Sequence, residues 1–304
     1  YTLSLHNALP IFTYNLKTST TPIQPPALAG DEVIVSAITV RESTGDVYVG
    51  GSFDHAGSLD CPGLCVFTAV TSQWNRPGII SGTVSTMAWQ TADSLVAGGS
   101  LVVAGNKTAL ATYDAKTQVW TEFDGSSAIP GAVTAFTPAS KDASEFWVSG
   151  VAGNGSAFLM KYDGKKWSSI GYNLGAKSEI RGIQILPLSE DHTSTDLVPS
   201  NHALLVTGSL NLPSFGNASA VLFNGTTFQP YALTSTSDKR SGSISKIFSQ
   251  QQNVFEDGKS HLALGLIVLI GLAIALALIF LLVVAGIIAE RIRRKREEIG
   301  RAHV

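Results

Sequence analysis

The sequence predicts an all-β fold of propeller-like blades, followed by a single transmembrane α-helix. Two observations predict it: a segment of about 47 to 50 residues recurs four times within residues 12–233, and residues 262–289 are apolar and uncharged. Periods of this length are typical of propeller blades, and helical periodicity is absent before residue 262. A pair of β-sandwich domains is the alternative for the same strands. Four visible blades need not form a complete ring and can belong to a larger one.

Each repeat opens with a short motif that predicts its first strand. The four motifs are Val35-Ser36-Ala37-Ile38, Val84-Ser85-Thr86-Met87, Val133-Thr134-Ala135-Phe136 and Ile180-Arg181-Gly182-Ile183. A second strand then runs into glycine, as Val47-Tyr48-Val49 does before Gly50 and Gly51. Alternating β-branched and aromatic residues favour strands. Residues 187–202, rich in Ser, Thr, Asp and Pro, predict a surface insertion in the last repeat.

Each repeat closes with a hairpin whose second arm carries an aromatic residue. These residues are Trp74, Trp120, Trp167 and Phe228. We expect Trp120 and Trp167 to bury broad surface between adjacent blades. We expect the glycine doublets, such as Gly98-Gly99, to allow a bulge or close approach of the backbone.

Residues 262–289 are long enough to cross a bilayer, which takes about 20 apolar residues. They lack the polar stripe that a buried core helix would show. Residues 290–297 follow as a basic tail, whose cations are Arg291, Arg293, Arg294, Lys295 and Arg296. Because basic residues after a span stay in the cytoplasm, the preceding chain is expected outside. The tail is a topology signal with affinity for anionic lipid.

The charge balance excludes one class of partner. The formal net charge is -2, and the cations concentrate after the span, so the ectodomain is mildly acidic. Nucleic acid is therefore not expected as a partner. Residues 234–261, polar and rich in Ser and Gln, predict a juxtamembrane stalk or linker.

Both ends of the chain are set aside from the fold prediction. Residues 1–11 and 298–304 resemble translated sequencing adapter, one at each end. Such scars carry no fold information, and the sequence is therefore expected to be a fragment.

Four sequons precede the span and are expected to carry N-glycans on a secreted face. They begin at Asn106, Asn154, Asn217 and Asn224. In an oxidising compartment, Cys61 and Cys65 are expected to form a disulfide across a small loop. A redox motif would normally have two intervening residues rather than three, and a zinc site would need more ligands than nearby His55 offers.

Catalytic signatures are weak in this chain. Asp54 and His55 are adjacent, so on a strand their side chains would point to opposite faces. No nucleophile elbow, phosphate loop or clustered carboxylate set occurs. A copper radical oxidase would need a free cysteine and two histidine ligands, whereas His192 and His202 are predicted in a loop and at a strand start. We expect no enzyme activity, no catalytic residue, no metal and no cofactor.

The glycine doublet, Tyr-Asp and Trp pattern resembles kelch-type propeller repeats. The runs VYVGGSFDHAGSLDCPGLCVF and LVAGGSLVVAGNKTALATYDAKTQVW, with the span and the ERIRRKRE tail, resemble the C-terminal part of the fungal cortical polarity markers. These are large single-pass membrane glycoproteins of bud-site selection and polarised growth. The resemblance covers most of residues 31–297 and implies longer proteins with further propeller-like repeats upstream.

The resemblance also implies a role. It implies a landmark at the plasma membrane and cell cortex, at growth or division sites, acting with a polytopic membrane partner and cortical polarity proteins. It offers no catalytic residues. The alternative is an adhesion or sensor receptor whose propeller binds a cell-wall glycan or a peptide.

Overall fold

The structure, a computed structural model, describes residues 17–19, 24–170, 174–238, 241–244 and 260–301. Within the long helix, side chains are described for residues 269 and 273–293. The chain divides into two compact units, Tyr1–Val254 and Phe255–Val304. The first unit contains the sheets and the second contains the helix.

The first unit contains four four-stranded antiparallel sheets, each built from strands in chain order. Blade 1 consists of β2 (Ile34–Arg41), β3 (Asp46–Ser52), β6 (Leu64–Thr68) and β7 (Gln73–Asn75). Blade 2 consists of β8 (Ser81–Trp89), β9 (Ser94–Val103), β10 (Asn106–Asp114) and β11 (Val119–Glu122). Blade 3 consists of β12 (Gly131–Pro138), β13 (Phe146–Ala152), β14 (Ala157–Tyr162) and β15 (Trp167–Ser169). Blade 4 consists of β16 (Glu179–Pro187), β17 (His202–Leu212), β18 (Gly216–Phe223) and β19 (Phe228–Ala232).

A small sheet covers part of blade 1. It consists of β1 (Leu28–Ala29), β4 (His55–Ala56) and β5 (Leu59–Asp60). With residues 53–63, which connect β3 to β6, it forms what we call the blade 1 cap. Leu28, Phe53 and Cys61 of the cap are buried against Val49 of blade 1. A short 3-10 helix, Ser126–Ala128, lies between blades 2 and 3.

The predicted bulges occur at the same place in every blade. The first strand changes register against the second between Val35 and Ala37, Val84 and Thr86, Val133 and Ala135, and Ile180 and Gly182. The second glycine of each doublet faces the bulge. A Cβ on Gly51 would lie 1.9 Å from the Ile34 carbonyl oxygen, and one on Gly99 would lie 2.0 Å from that of Thr83. The doublet is therefore a steric requirement at this point.

The first strands of the four blades contact one another in chain order, β2 with β8, β8 with β12 and β12 with β16. Between blades, a buried valine packs onto the first glycine of the preceding doublet. A Cβ on Gly50 would lie 2.5 Å from Val84 Cγ1, and a Cβ on Gly98 would lie 2.8 Å from Val133 Cγ1. Glycine thus lets neighbouring sheets approach closely around the inner strands.

Tryptophan residues pack at the junctions between blades 1 and 2 and between blades 2 and 3, as the sequence predicts. Trp120 is buried in the core shared by blades 1 and 2, and its Nε1 donates to the Pro77 carbonyl oxygen at 2.6 Å. Trp167 packs against the core between blades 2 and 3, but its buried Nε1 has no hydrogen-bond partner in the described part of the chain. The two tryptophans therefore occupy equivalent positions, but only Trp120 makes a hydrogen bond to the linker.

Polar side chains also link successive blades. Arg41 of blade 1 contacts the carboxylate of Asp93 in blade 2, which also pairs with Lys116 at 2.8 Å. Lys116 and Arg41 hold the pKa of Asp93 below its ordinary value. Between blades 3 and 4, Lys161 donates to the Asp196 carbonyl oxygen at 3.2 Å.

Residues 234–238 and 241–244, assigned to the stalk from sequence, contact blade 4 where they are described. The Ser219 hydroxyl lies 2.6 Å from Thr234 Oγ1 and donates to the Gly242 carbonyl oxygen at 3.1 Å. The amide of Ile244 donates to the Gly208 carbonyl oxygen at 3.4 Å. The hydroxyl side chains of this segment, which predicted a polar linker, therefore contact blade 4. Residues 245–259 lie outside the described residues.

The described part of the second unit is one helix, α1 (Ser260–Arg301). It contains the predicted span and continues without a break through the basic tail. Ala273–Arg293 is long and apolar enough to cross a membrane, with a mean hydropathy of 2.8 and none of its residues buried. By length and composition, this stretch of α1 is therefore a candidate membrane span.

Candidate interaction surfaces

A central cavity of about 470 Å³ lies where the first strands of the four blades converge. Its walls are formed by residues of the four motifs that open the sequence repeats, joined by Gln184 of β16 and by Leu205 and Thr207 of β17. Most of the lining is apolar or hydroxylated. The polar lining residues are Ser36, Ser85, Thr86, Thr134, Arg181, Gln184 and Thr207.

Arg181 and Gln184 differ from the hydroxylated lining residues, because one carries a charge and the other an amide group. Arg181 is held by a two-point contact with Glu179, from Nε to Oε1 at 2.9 Å and from Nη2 to Oε2 at 3.0 Å. Its Nη1 donates to Ser243 Oγ at 3.0 Å. The Oε1 of Gln184 is buried and accepts no hydrogen bond from the described residues. The cavity therefore contains a fixed cation and an unused acceptor.

Sequence reasoning did not identify this cavity, although the signal was present. The second position of each opening motif is polar, namely Ser36, Ser85, Thr134 and Arg181. Four polar residues at one repeat position point to a shared axis only when the repeats are arranged around it. That arrangement comes from the fold, not from any one motif.

Three of the predicted sequons lie at one end of the blades. In an antiparallel four-stranded blade, the hairpin from the second to the third strand shares an end with the linkers between blades, and we call this the linker end. Asn106, Asn154 and Asn217 all lie at this hairpin, in blades 2, 3 and 4, and all are exposed. In blade 1 the same connection is the cap. The linker end thus carries one predicted sequon in each of blades 2, 3 and 4.

Asn224 differs from the other three. It lies at the hairpin between β18 and β19, at the opposite end, and is half-buried. Its Oδ1 accepts hydrogen bonds from the amides of Thr226 and Thr227, both at 2.9 Å. The neighbouring Gly225 lies against Thr195 of the insertion. This sequon is more crowded than those at the linker end.

Cys61 and Cys65 lie within disulfide distance, with Cα atoms 5.6 Å apart, and both are fully buried in the cap core. His55 lies outside this core, with Nδ1 3.7 Å from Asp60 Oδ1. Among the described residues, no group of three or more His, Cys, Asp or Glu side chains could hold a metal ion.

His192 and His202 come close, but not through two ring nitrogens. The Nε2 of His192 lies 2.6 Å from the backbone oxygen of His202, whereas Nδ1 of His202 lies 2.6 Å from Asn201 Oδ1. The insertion between β16 and β17 brings them together. Its contacts are those of a structural loop anchored to a strand.

The basic tail continues α1. Arg291 and Arg293 are exposed. Arg294, Lys295 and Arg296 lie on the same continuous helix, and their side chains are outside the described set. A helix that passes directly from apolar residues into cations matches the composition of a membrane boundary.

Repeated four-stranded sheets around a central cavity, with an apolar C-terminal helix, define a β-propeller protein with a candidate membrane span. Residues 11–259 match the Rax2 C-terminal beta propeller domain. The chain therefore belongs to this family. The propeller prediction is confirmed, and the kelch character stays a prediction.

Two relatives carry names that describe growth. The chain is 42% identical over 294 residues to "Polarized growth protein L1" of Phoma sp., covering 94% of this chain and 22% of that protein. It is 27% identical over 252 residues to "Polarized growth protein RAX2" of Candida albicans, covering 77% of this chain and 18% of that protein. The chain thus spans about a fifth of the length of these relatives.

Among solved structures, a chain of Kuenenia stuttgartiensis hydrazine synthase matches with a TM-score of 0.41 and 10% identity, over 72% of this chain and 60% of that one. This likeness is too slight to carry an argument.

Proposed function

We propose that this chain is the C-terminal part of a non-enzymatic, membrane-anchored landmark for polarised growth and bud-site selection. Membership of the Rax2 propeller family, with two relatives named for polarised growth, is the observation that carries the proposal. The propeller lies outside the cell, α1 crosses the plasma membrane, and the basic tail faces the cytoplasm.

The distribution of sequons and cations supports this orientation. All four sequons precede the helix, and three of them lie exposed at the linker end. The cationic cluster follows the apolar stretch of α1 directly. Glycosylation acts on the secreted side, and basic residues are retained in the cytoplasm, so both signals favour the same orientation. A Cys61–Cys65 disulfide fits the same compartment.

The mechanism is positional. Wall or matrix material holds the glycosylated propeller, while the span and tail connect that position to a polytopic membrane partner and to cortical polarity proteins. Anionic lipid contributes through the basic tail. The predicted boundaries serve these roles: propeller 12–233, stalk 234–261, span 262–289 and tail 290–297.

A tagged protein at its native locus tests the proposal. We expect persistent fluorescence at growth and division sites, and protease added to intact cells should remove the propeller. The control variant replaces the five tail cations by glutamine and should be misoriented or uniformly distributed. Uniform surface distribution of the unaltered protein would contradict the landmark role.

Single Asn→Gln substitutions test the glycans. We expect one step of gel mobility to be lost at each of Asn106, Asn154 and Asn217, and a smaller or absent loss at crowded Asn224. Endoglycosidase treatment should bring all four variants to one mobility. If the Asn106, Asn154 and Asn217 variants migrate like the unaltered protein before endoglycosidase treatment, the linker end carries no N-glycan.

A receptor that binds a glycan or peptide is the second candidate, and the unused Gln184 acceptor in the central cavity is the observation that favours it. Saturable binding of cell-wall oligosaccharides, lost in Gln184→Leu and kept in the exposed control Gln229→Leu, would support it. Equal binding by both variants would remove the cavity from consideration.

A further inference from the structure

The first strands of blades 2 and 3 place large apolar residues against the preceding blade. In blade 2 these are Met87 and Trp89, which pack on the core shared with blade 1. Trp89 makes an edge contact with Tyr48 of blade 1, with ring centroids 5.1 Å apart. In blade 3, Phe136 packs in the same way on the core shared with blade 2.

Blade 1 has the same two positions without this cover. They are Ile38, which like Met87 and Phe136 also lines the central cavity, and Val40, and they are 56% and 47% exposed. Both lie opposite residues of β3 on the face turned away from blade 2, since Ile38 pairs with Val49 and Val40 with Val47. The residues equivalent to half-buried Val47 are Leu95 and Phe146, each 0% exposed. This open face of blade 1 therefore has the composition of a blade junction but has no neighbouring blade among the described residues.

The chain also enters blade 1 as it enters blade 2. Trp120 donates its Nε1 hydrogen to Pro77, in the linker that arrives from blade 1. Trp74 donates in the same manner to the Pro26 carbonyl oxygen, at 2.9 Å. Leu28 then occupies the buried linker position that Ile80 occupies before blade 2. Residues from Pro26 onward thus lie where a linker from an earlier blade would lie.

A turn before this linker matches the last hairpin of a blade. Lys17–Ser19 is a turn in which Ser19 has a φ of 53°. The turns that end at Ser72 in blade 1 and Gln118 in blade 2 have the same signature, with φ of 53° and 57°. The sequence around it, Tyr14-Asn15-Leu16-Lys17-Thr18-Ser19, has the spacing of Tyr113-Asp114-Ala115-Lys116-Thr117-Gln118.

We propose that the open face of blade 1 is the docking surface for one further blade, which precedes β1 in a longer polypeptide and whose last hairpin includes Lys17–Ser19. The repeat also specifies what that blade presents. The covering strand carries a large residue followed two positions later by a small one, as in Tyr48 and Gly50, Val96 and Gly98, or Trp147 and Ser149. The relatives, more than four times as long as this chain, provide room for such a blade. The proposal does not depend on the polarity role.

Thiol labelling of the longer native polypeptide tests the proposal. Ile38→Cys would be compared with Val70→Cys, a control on an exposed hairpin of the same blade where the side chain is 88% exposed. A covered Ile38→Cys should react with a maleimide at least about tenfold more slowly than the control. In the 304-residue chain, the two thiols should react at similar rates. Hydroxyl-radical footprinting of native Ile38, Val40 and Val70 gives the same comparison if the cysteine variant is not secreted.

Three outcomes would overturn the proposal. Equal labelling of both thiols in the longer polypeptide would show that nothing covers this face. Protection that appears only as protein concentration rises would identify a second copy as the occupant. Protection already present in the 304-residue chain would mean that the face closes on the residues of this chain.

Discussion

Replacing Gly98 by alanine tests the contact that holds blades 2 and 3 together. The new Cβ would lie 2.8 Å from Val133 Cγ1, 2.9 Å from Thr86 Cγ2 and 3.1 Å from Leu110 Cδ2. Gly98 does not have a positive φ, so backbone strain adds nothing. Overpacking of this kind costs about 1–3 kcal/mol, and the lower unfolded-state entropy of alanine returns about 0.4–1 kcal/mol. We expect a net loss of roughly 1–2 kcal/mol, or about 2–8 °C in melting temperature.

Gly153→Ala is the matched control. A Cβ at Gly153 meets nothing within 4 Å, and its φ is not positive either. Melting of the detergent-solubilised chain, followed by the fluorescence of its buried tryptophans, should leave this control unchanged or slightly stabilised.

Val133→Ala completes the test of the same contact. It should cost less stability in the Gly98→Ala background than alone, because the smaller side chain relieves the clash. Two results would refute the reasoning: equal melting of Gly98→Ala and the control, or an identical cost of Val133→Ala in both backgrounds.

Three further predictions concern the blade junctions and the cap. Trp120→Phe should destabilise the chain by about 1–3 kcal/mol, because it leaves a buried carbonyl oxygen without its hydrogen-bond donor. Trp167→Phe breaks no such hydrogen bond and should cost less stability. Denaturant unfolding of the two variants measures the difference. Removing both Cys61 and Cys65 by alanine should cost about 2 kcal/mol from the loss of a short-loop crosslink, and reductant should then shift only the unaltered protein. The pKa of Asp93 is lowered in the fold. The contribution of this carboxylate to stability is therefore present above the ordinary carboxyl pKa and is lost as the pH falls through the lowered value. Asp93→Asn should make the free energy of unfolding less dependent on pH in this acidic range, and an unchanged dependence would contradict the reasoning.

The repeat pattern predicted the blades because one physical constraint recurs in each of them. The second residue of each opening motif is polar because it lines the cavity. In blades 2 and 3 the first residue, Val84 or Val133, packs its side chain against the preceding sheet. Glycine at positions 50 and 98 could be anticipated as a close approach. The side chains that approach these glycines could not be anticipated, because Val84 and Val133 belong to the next repeat.

The cap was missed for a different reason. Strands β4 and β5 have two residues each, too few to show an alternating pattern. Cys61 and Cys65 indicated a small loop, but not that Leu28 and Phe53 would bury it. The sequence predicts the same packing for Trp120 and Trp167, but only Trp120 donates its indole hydrogen to a linker carbonyl. That difference depends on where the linker carbonyl lies, which the motif does not show.

The valine-on-glycine junctions join only blades that are adjacent in the chain. Blades 1 and 2, once folded, each already present the groove into which the next sheet inserts its valine. A ribosome releases the sheets in this same order, so assembly can follow synthesis without waiting for a distant partner. Blades 1 and 2 can therefore fold completely before blade 3 is synthesised.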